Sequence, residues 1–332
     1  MTERAFDFAV PRLMRNAHLQ TLGAALPLWT RPEPASEPLR IELPGGGALR
    51  ARATWQSHGS GERSAVILVH GVGGSSESHY VRRAAVAFQR AGFHVVRLNL
   101  RGAGDSMPDA PALYHAGLTE DPEAALAAVA ARKGVRDVAL VGFSLGGNVS
   151  LKLAAKWGAA VPPYVRGVAS ISAPLDLVET SRALETLRTL PYRGYVLRKL
   201  LSQGEEFAKI HPARAKYDAS RLRRLRTIRA YDEEVVAPMH GFCDAHDYYV
   251  NASCGPGLAD VRVRTLIIHA EDDPMIPALS VRRWLRDASP AVRIAWTERG
   301  GHVGWFSGVR EQAWTHTWAI ERALSFLQAS GR

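Results

Sequence analysis

The stretch Val138 to Val149, VALVGFSLGGNV, constrains this chain more than any other. Val138, Ala139, Leu140 and Val141 read as a buried parallel strand. Gly142-Phe143-Ser144-Leu145-Gly146 follows, and Asn148 to Trp157 then has the character of a helix. A strand and a helix joined by G-x-S-x-G need a very sharp turn. The serine at its apex is held in a strained backbone conformation. No Cβ fits two positions to either side, which accounts for glycine at 142 and 146. The turn also sets Ser144 at the N-terminus of the helix, where free N–H groups and the dipole favour a developing negative charge. A chain of this length yields G-x-S-x-G by chance about 0.1 times. The pentapeptide therefore counts only together with its flanks and with partners elsewhere in the chain.

Those flanks belong to a longer rhythm. Residues 6–29 are apolar with basic interruptions and predict a turn and a short helix packed on the core. Arg31 to Pro38, with three prolines, is the stretch most like a linker. Leu39 to Leu43 and Ala48 to Trp55 alternate around Gly45-Gly46-Gly47 and predict an antiparallel hairpin. Strands are expected at Ala65–Val69, His94–Leu100, Val138–Val141 and Val168–Ser172, with helices at Ser78–Arg90 and Pro122–Lys133 between them. The rhythm stops from Leu175 to Cys254, a helical and basic segment broken at His211-Pro212. It resumes with a strand at Thr265–Ala270, a helix at Ser280–Arg286, a strand at Val292–Thr297 and a last helix at Gln312–Leu327. Alternation of this kind predicts an α/β fold, a doubly wound and mostly parallel sheet with right-handed crossovers. The interruption reads as an inserted helical cap. The expected organisation is core 1–174, cap 175–255 and core 256–332.

In such a sheet the site forms at the carboxyl ends of the strands. Ser144 needs a base there, because a hydroxyl is a weak nucleophile at neutral pH. Of 12 histidines, His302 is the one that follows the last strand directly, behind Gly300 and Gly301. The base needs an orienting carboxylate, and Glu271-Asp272-Asp273 ends the preceding strand. Asp273 is favoured, three residues past the strand end in a turn fixed by Pro274 and Pro277; Asp272 is the alternative. The chain order Ser144, Asp273, His302 is the order this sheet type uses. Two N–H groups should hold the oxyanion, that of Leu145 and that of Val72 in the loop after the first central strand.

The chain also resembles a known family, the Ser-His-Asp α/β-hydrolases, and within it the YheT-type branch. That branch holds bacterial esterases and plant and animal relatives, some of them lipases or phospholipases. The resemblance is carried by NAHLQT (16–21), HGVGGSSESHY (70–80), RLNLRGAGDS (97–106), YHAGLTED (114–121), GFSLGGN (142–148), Tyr231-Asp232, Asp247-Tyr248-Tyr249, HAEDDPMIP (269–277) and GGHVGWF (300–306). It implies the α/β-hydrolase fold, ester hydrolysis without a cofactor, and a triad on Ser144, Asp273 and His302. Ala103 departs from relatives that often carry cysteine or another small residue there. Thioesterase, amidase or lipase/phospholipase chemistry would use the same triad. A non-catalytic acyl- or lipid-binding protein on this fold is disfavoured by the intact triad. A serine at the elbow argues against a dehalogenase, which needs a carboxylate there.

Other features have plainer readings. His240, Cys243, His246 and Cys254 have zinc-like spacing, but packing beside Tyr248 and Tyr249 is the better account. Neither cysteine has an elbow around it that would make it a nucleophile. The glycines at 71, 73 and 74 lack the Lys-Ser/Thr ending of a phosphate loop. Asp105 and Asp121 are expected to pair with basic groups or cap helices; Trp305 and Phe306 are either core or acyl-pocket wall. Net charge is +10, and residues 182–229 carry 13 Lys/Arg against 4 Asp/Glu. A solvated helical face is the plain reading, and contact with an anionic membrane is the functional one. No nucleic-acid reader motif accompanies the charge. With two cysteines, no apolar run near the ~18 residues of a membrane span, and no signal-like start, a cytoplasmic protein is expected.

Overall fold

Strands that read as unbroken apolar runs lie at the centre of one eight-stranded sheet in the computed structural model. The structure describes Phe8, Val10 and residues 12–25, 35–57, 61–306 and 318–329. The strands are β1 (Glu37–Glu42), β2 (Ala48–Thr54), β3 (Arg63–Val69), β4 (His94–Leu98), β5 (Val135–Phe143), β6 (Val165–Ile171), β7 (Thr265–Ala270) and β8 (Val292–Thr297). Their spatial order is β1-β2-β4-β3-β5-β6-β7-β8. β1 and β2 form the expected antiparallel hairpin, and β2 pairs antiparallel with β4. Every pair from β4 to β8 is parallel. Parallel strands need both faces covered, which is why Ala65–Val69 of β3 and Val138–Val141 of β5 are unbroken apolar runs and, with the whole of β7, are nearly solvent-free.

The covering helices are α1 (Ala17–Ala25), α2 (His79–Arg90), α3 (Glu120–Ala130), α4 (Leu145–Trp157), α10 (Ala278–Leu285) and α11 (Trp318–Gln328). Between β6 and β7 lie α5 (Leu177–Leu184), α6 (Leu190–Ile210), α7 (Ile228–Tyr231), α8 (Ala237–His240) and α9 (Ala245–Ala252), with no strand among the described residues. A π-helical turn over Asp232–Val236 joins α7 to α8. α6 stops at Ile210, where His211-Pro212 breaks the pattern. The sheet splits the buried apolar side chains into two clusters, and residues of α5, α6 and α9 join the larger one. Residues 26–34 and 312–317, at the start of the chain and of the last helix, lie outside the described residues. No helix among the described residues is long and apolar enough to cross a membrane.

Several observed ends differ from the expected ones by a few residues, and the difference that matters for the site is at the elbow. β5 runs to Phe143 and α4 begins at Leu145, so a single residue, Ser144, makes the whole turn. Asn148, fully buried on α4, ties this helix to its surroundings. Its Nδ2 donates to the carbonyls of Ala116 (2.8 Å) and Ala252 (2.9 Å), and its Oδ1 accepts from the Cys254 N–H (3.0 Å). These bonds fasten the exit of the α5–α9 segment to the core. Asn148→Ala strands three buried backbone groups, and we expect unfolding free energy to fall by ~3 kcal/mol or more, read by urea denaturation.

Candidate active site

The turn at Ser144 is strained, with φ 51° and ψ −121°. Its N–H donates to the Ile171 carbonyl at 2.8 Å, which hangs the turn from the neighbouring strand. A Cβ on Gly142 would stand 2.2 Å from the Gly146 carbonyl oxygen. One on Gly146 would stand 2.4 Å from the carbonyl oxygen of His70. Both clashes are with backbone, so no side-chain rotation relieves them.

Because β5, β7 and β8 are parallel, their carboxyl ends meet on one edge. There Ser144 Oγ lies 3.0 Å from His302 Nε2, and His302 Nδ1 lies 2.8 Å from Asp273 Oδ2. All three side chains are buried. Burial pushes the Asp273 carboxyl up, but the His302 ring and its hydrogen bond, His269 and the N–H of Met275 outweigh it. The carboxyl is held below its ordinary value and stays an acceptor. Its Oδ1 takes the N–H groups of Met275 (2.8 Å) and Ile276 (3.0 Å), which leaves Oδ2 for the imidazole.

Asp272 does not reach the imidazole. Its Oδ1 accepts the Gly301 N–H at 2.9 Å and so holds the loop that carries His302. α1 holds the same loop from behind. Thr21 Oγ1 accepts the His302 N–H (2.9 Å), and Gln20 Oε1 accepts the Phe306 N–H (2.7 Å). Gln20 Nε2 donates back to the Phe306 carbonyl at 3.3 Å. The loop lies so close to α1 that a Cβ on Gly301 (φ +61°) would stand 2.6 Å from the Ala17 carbonyl oxygen. The NAHLQT segment therefore positions the histidine, a role its sequence alone did not disclose. The clue was two hydrogen-bonding residues, Gln20 and Thr21, in an otherwise apolar helix.

The loop after β3 is fixed just as closely. The N–H of Gly71 donates to Tyr80 Oη at 2.8 Å and that of Gly73 to Tyr114 Oη at 2.6 Å. His70 Nδ1 donates to the Gly71 carbonyl (2.8 Å), and Nε2 accepts the Leu100 N–H (3.2 Å). Burial pushes the His70 pKa down to about 4, so the ring stays neutral with one donor and one acceptor. Val72 N–H sits between the two occupied N–H groups, and no bond to it or to Leu145 N–H occurs among the described residues. Neither tyrosine was foreseen as a site residue.

Two cavities meet at Ser144 and share Val72, Val196 and Met275. The inner one passes Leu145 and runs between sheet and intervening helices, among Leu177, Leu184, Leu200, Ile228 and Val236. Thr180, Ser181, Gln203 and Asp232 are among its polar lining groups, and Asp232, at the π-helical turn, lies 2.6 Å from Tyr249 Oη. Burial pushes that carboxyl up to about 7 against the pull of this hydrogen bond. The outer cavity is lined by His302, Thr21, Leu22, Tyr80, Tyr192 and Tyr195.

The remaining sequence candidates fall elsewhere. Asp105 pairs with Arg52 at 2.6 Å and Asp121 with Arg101 at 2.6 Å. Trp305 and Phe306 are core: the indole donates to Thr297 Oγ1, and neither residue lines these cavities. His240 Nε2 donates to the Leu113 carbonyl at 2.9 Å, Cys254 is buried and Cys243 exposed. No group of three His, Cys, Asp or Glu among the described residues is placed to hold a metal ion.

A mostly parallel sheet with a serine at such a turn and a histidine and an aspartate in line with it defines the α/β-hydrolase class. The family model described as the alpha/beta hydrolase fold matches residues 64–306, and the chain belongs to that family. The particular branch follows from relatives. The chain is 31% identical to YheT of Escherichia coli (strain K12), a protein named provisionally as an esterase, over 97% of this chain and 94% of that one. This is the YheT-type branch. The monoacylglycerol lipase of Saccharomyces cerevisiae is 26% identical over 75% of this chain and 56% of its own length. The mouse phospholipase ABHD3 is 27% identical over 74% of this chain and 59% of its own. Among solved structures, the Pyrococcus furiosus esterase Pf2001 superposes with a TM-score of 0.56 at 16% identity, covering 89% of this chain and 92% of that one. That likeness concerns the fold alone.

Tyr114→Phe removes the acceptor of the Gly73 N–H without changing the ring. We expect kcat on a soluble ester to fall about tenfold with KM nearly unchanged, measured by steady-state kinetics.

Proposed function

We propose that this hydrolase cleaves carboxylic esters through an acyl-enzyme on Ser144. The observation that carries the reading is the line Ser144 Oγ, His302 Nε2, His302 Nδ1, Asp273 Oδ2, with steps of 3.0 and 2.8 Å. His302 takes the Ser144 proton as Oγ attacks the carbonyl carbon. The N–H groups of Leu145 and Val72 hold the oxygen that becomes negative. Asp273 keeps the Nδ1–H tautomer and stabilises the imidazolium. His302 then gives its proton to the leaving alkoxide, and the alcohol departs. In the second half a water loses its proton to His302, attacks the acyl carbon, and returns Ser144 and a carboxylic acid.

The proton donor decides which cavity takes which half of the substrate. The leaving oxygen must face His302, which lines the outer cavity and not the inner one. The alcohol therefore occupies the outer cavity and the acyl chain the inner one, past Leu145. In this reading residues 1–174 and 256–332 form the core, and the cap 175–255 roofs the acyl chain. The names of the lipase and phospholipase relatives favour a lipid ester. The charge of residues 182–229 suits a substrate presented at an anionic surface. Two free cysteines fit a reducing compartment, and a cytoplasmic location is part of the proposal.

p-Nitrophenyl esters of increasing acyl length test it, with Ser144→Ala in parallel. Turnover should fall about ten-thousandfold or more in Ser144→Ala. In the unaltered chain kcat/KM should rise by up to about fourfold per methylene until the inner cavity is full. Leu184→Trp, which shortens that cavity, should move the optimum to shorter acyl chains. A flat profile that ignores Leu184 would reverse the assignment of the two cavities.

A further inference from the structure

We propose that the rim of the outer cavity is a docking face for an anionic lipid bilayer, from which the ester enters the site directly. The proposal rests on the ester-hydrolase reading. Eight large apolar side chains are exposed among the described residues, and five come from two segments, Leu19 and Leu22 of α1, and Leu187 in the turn before α6 with Leu190 and Tyr195 in its first turns. Leu187 is 87% exposed and Leu22 51%. The two segments meet: His18 Nδ1 lies 2.6 Å from Tyr192 Oη, with the rings stacked. Leu22 and Tyr195 line the outer cavity, as does Pro191 beside Leu190. Leu19 is one helical turn before Leu22. These five side chains form an apolar collar beside the cavity that takes the alcohol half, two of them in its wall and three next to those along the chain. A single exposed leucine is ordinary, but a group of them beside a cavity marks an interaction surface.

Charge identifies the occupant. Arg188, Arg198 and Lys199 are exposed between and behind these apolar groups, and Arg12 and Arg15 are exposed just before α1. None of the five pairs with a carboxylate among the described residues. Arg198 and Lys199 lie 5.8 and 6.0 Å from the Tyr195 ring centre. Glu185, the acid nearest Arg188 in sequence, is already bonded to Arg193 at 3.0 Å, and Glu205, nearest Arg198 and Lys199, to Arg223 at 2.9 Å. Leucines that enter the acyl boundary, a tyrosine at headgroup depth and unpaired cations for lipid phosphates are the composition of an interfacial segment.

Flotation of the full chain with vesicles tests this. One set is phosphatidylcholine, the other phosphatidylcholine mixed with phosphatidylglycerol. The chain should float with the mixed vesicles at low salt, less at high salt, and hardly with phosphatidylcholine alone. Leu187→Ser/Leu190→Ser, which touches none of the proposed catalytic groups, should lower partitioning about tenfold or more. Hydrolysis of a water-soluble acetate ester should stay unchanged in that variant, while hydrolysis of a vesicle-embedded ester falls in step with binding. The single variant Leu187→Ser, at the most exposed position, should show the same direction if the double variant proves unstable. Equal flotation of variant and unaltered chain would overturn the proposal, as would no flotation with either vesicle. Concentration-dependent dimerisation lost in the variant, without vesicle binding, would assign the face to a second copy instead. Failure of acetate hydrolysis in the unaltered chain would count against the ester reading and leave the binding result standing on its own.

Discussion

The site depends on one unfavourable backbone conformation. Ser144 turns the chain from strand to helix by itself at φ 51°. A residue in that region costs about 1–3 kcal/mol and persists only where its surroundings leave no alternative. Here the surroundings are backbone. Gly146 packs on the carbonyls that end β3, and Gly142 on Gly146 itself. The N–H of Ser144 is bonded to the end of β6. The strain is thus balanced by the sheet, and the hydroxyl is lifted clear of the strand edge toward His302.

The second constraint is hydrogen-bond accounting in a dry place. Buried N–H groups need partners, and those of the site loops find them in side chains from remote segments. Tyr80 and Tyr114 take the N–H groups on either side of Val72, Thr21 that of His302, and Asp272 that of Gly301. Ser172 takes that of Val303 at 3.1 Å. Each bond removes a direction in which a loop could relax. Among the described residues nothing takes the N–H groups of Val72 and Leu145 beside Ser144, where the proposed chemistry develops a negative oxygen.

α1 and α6 have two faces with different tasks. Inward, Gln20 and Thr21 brace the histidine loop, and Val196 lines both cavities. Outward, α1 carries Leu19 and Leu22, and α6 carries Leu190, Tyr195, Arg198 and Lys199, which the core does not need. Substrate entry and histidine placement therefore share a scaffold. In the proposed reading, a lipid arriving at the collar meets the alcohol side of the site first and the acyl side behind it.

Much of this was legible in the sequence because it is local. An apolar run between turn residues has one good home in a parallel sheet, and G-x-S-x-G has one backbone solution between a strand and a helix. The order Ser144, Asp273, His302 follows from where successive strands must end. What was not legible depends on residues far apart in the chain. Asp272 and Asp273 are adjacent acids in one turn, and only packing against the Gly301 loop gives them different partners. Tyr80 and Tyr114 look like ordinary core aromatics until the loop after β3 is folded onto their hydroxyls. Trp305 and Phe306 could equally have walled a pocket, and the loop's fit against α1 turned them into the core. The sequence by itself determined the sheet, the turn and the residue types at its edge, since propensity, periodicity and sterics act over a few residues. The tertiary structure alone decided which polar groups meet, which cavity faces His302 and which leucines stay in water, since those depend on packing between segments the chain order keeps apart.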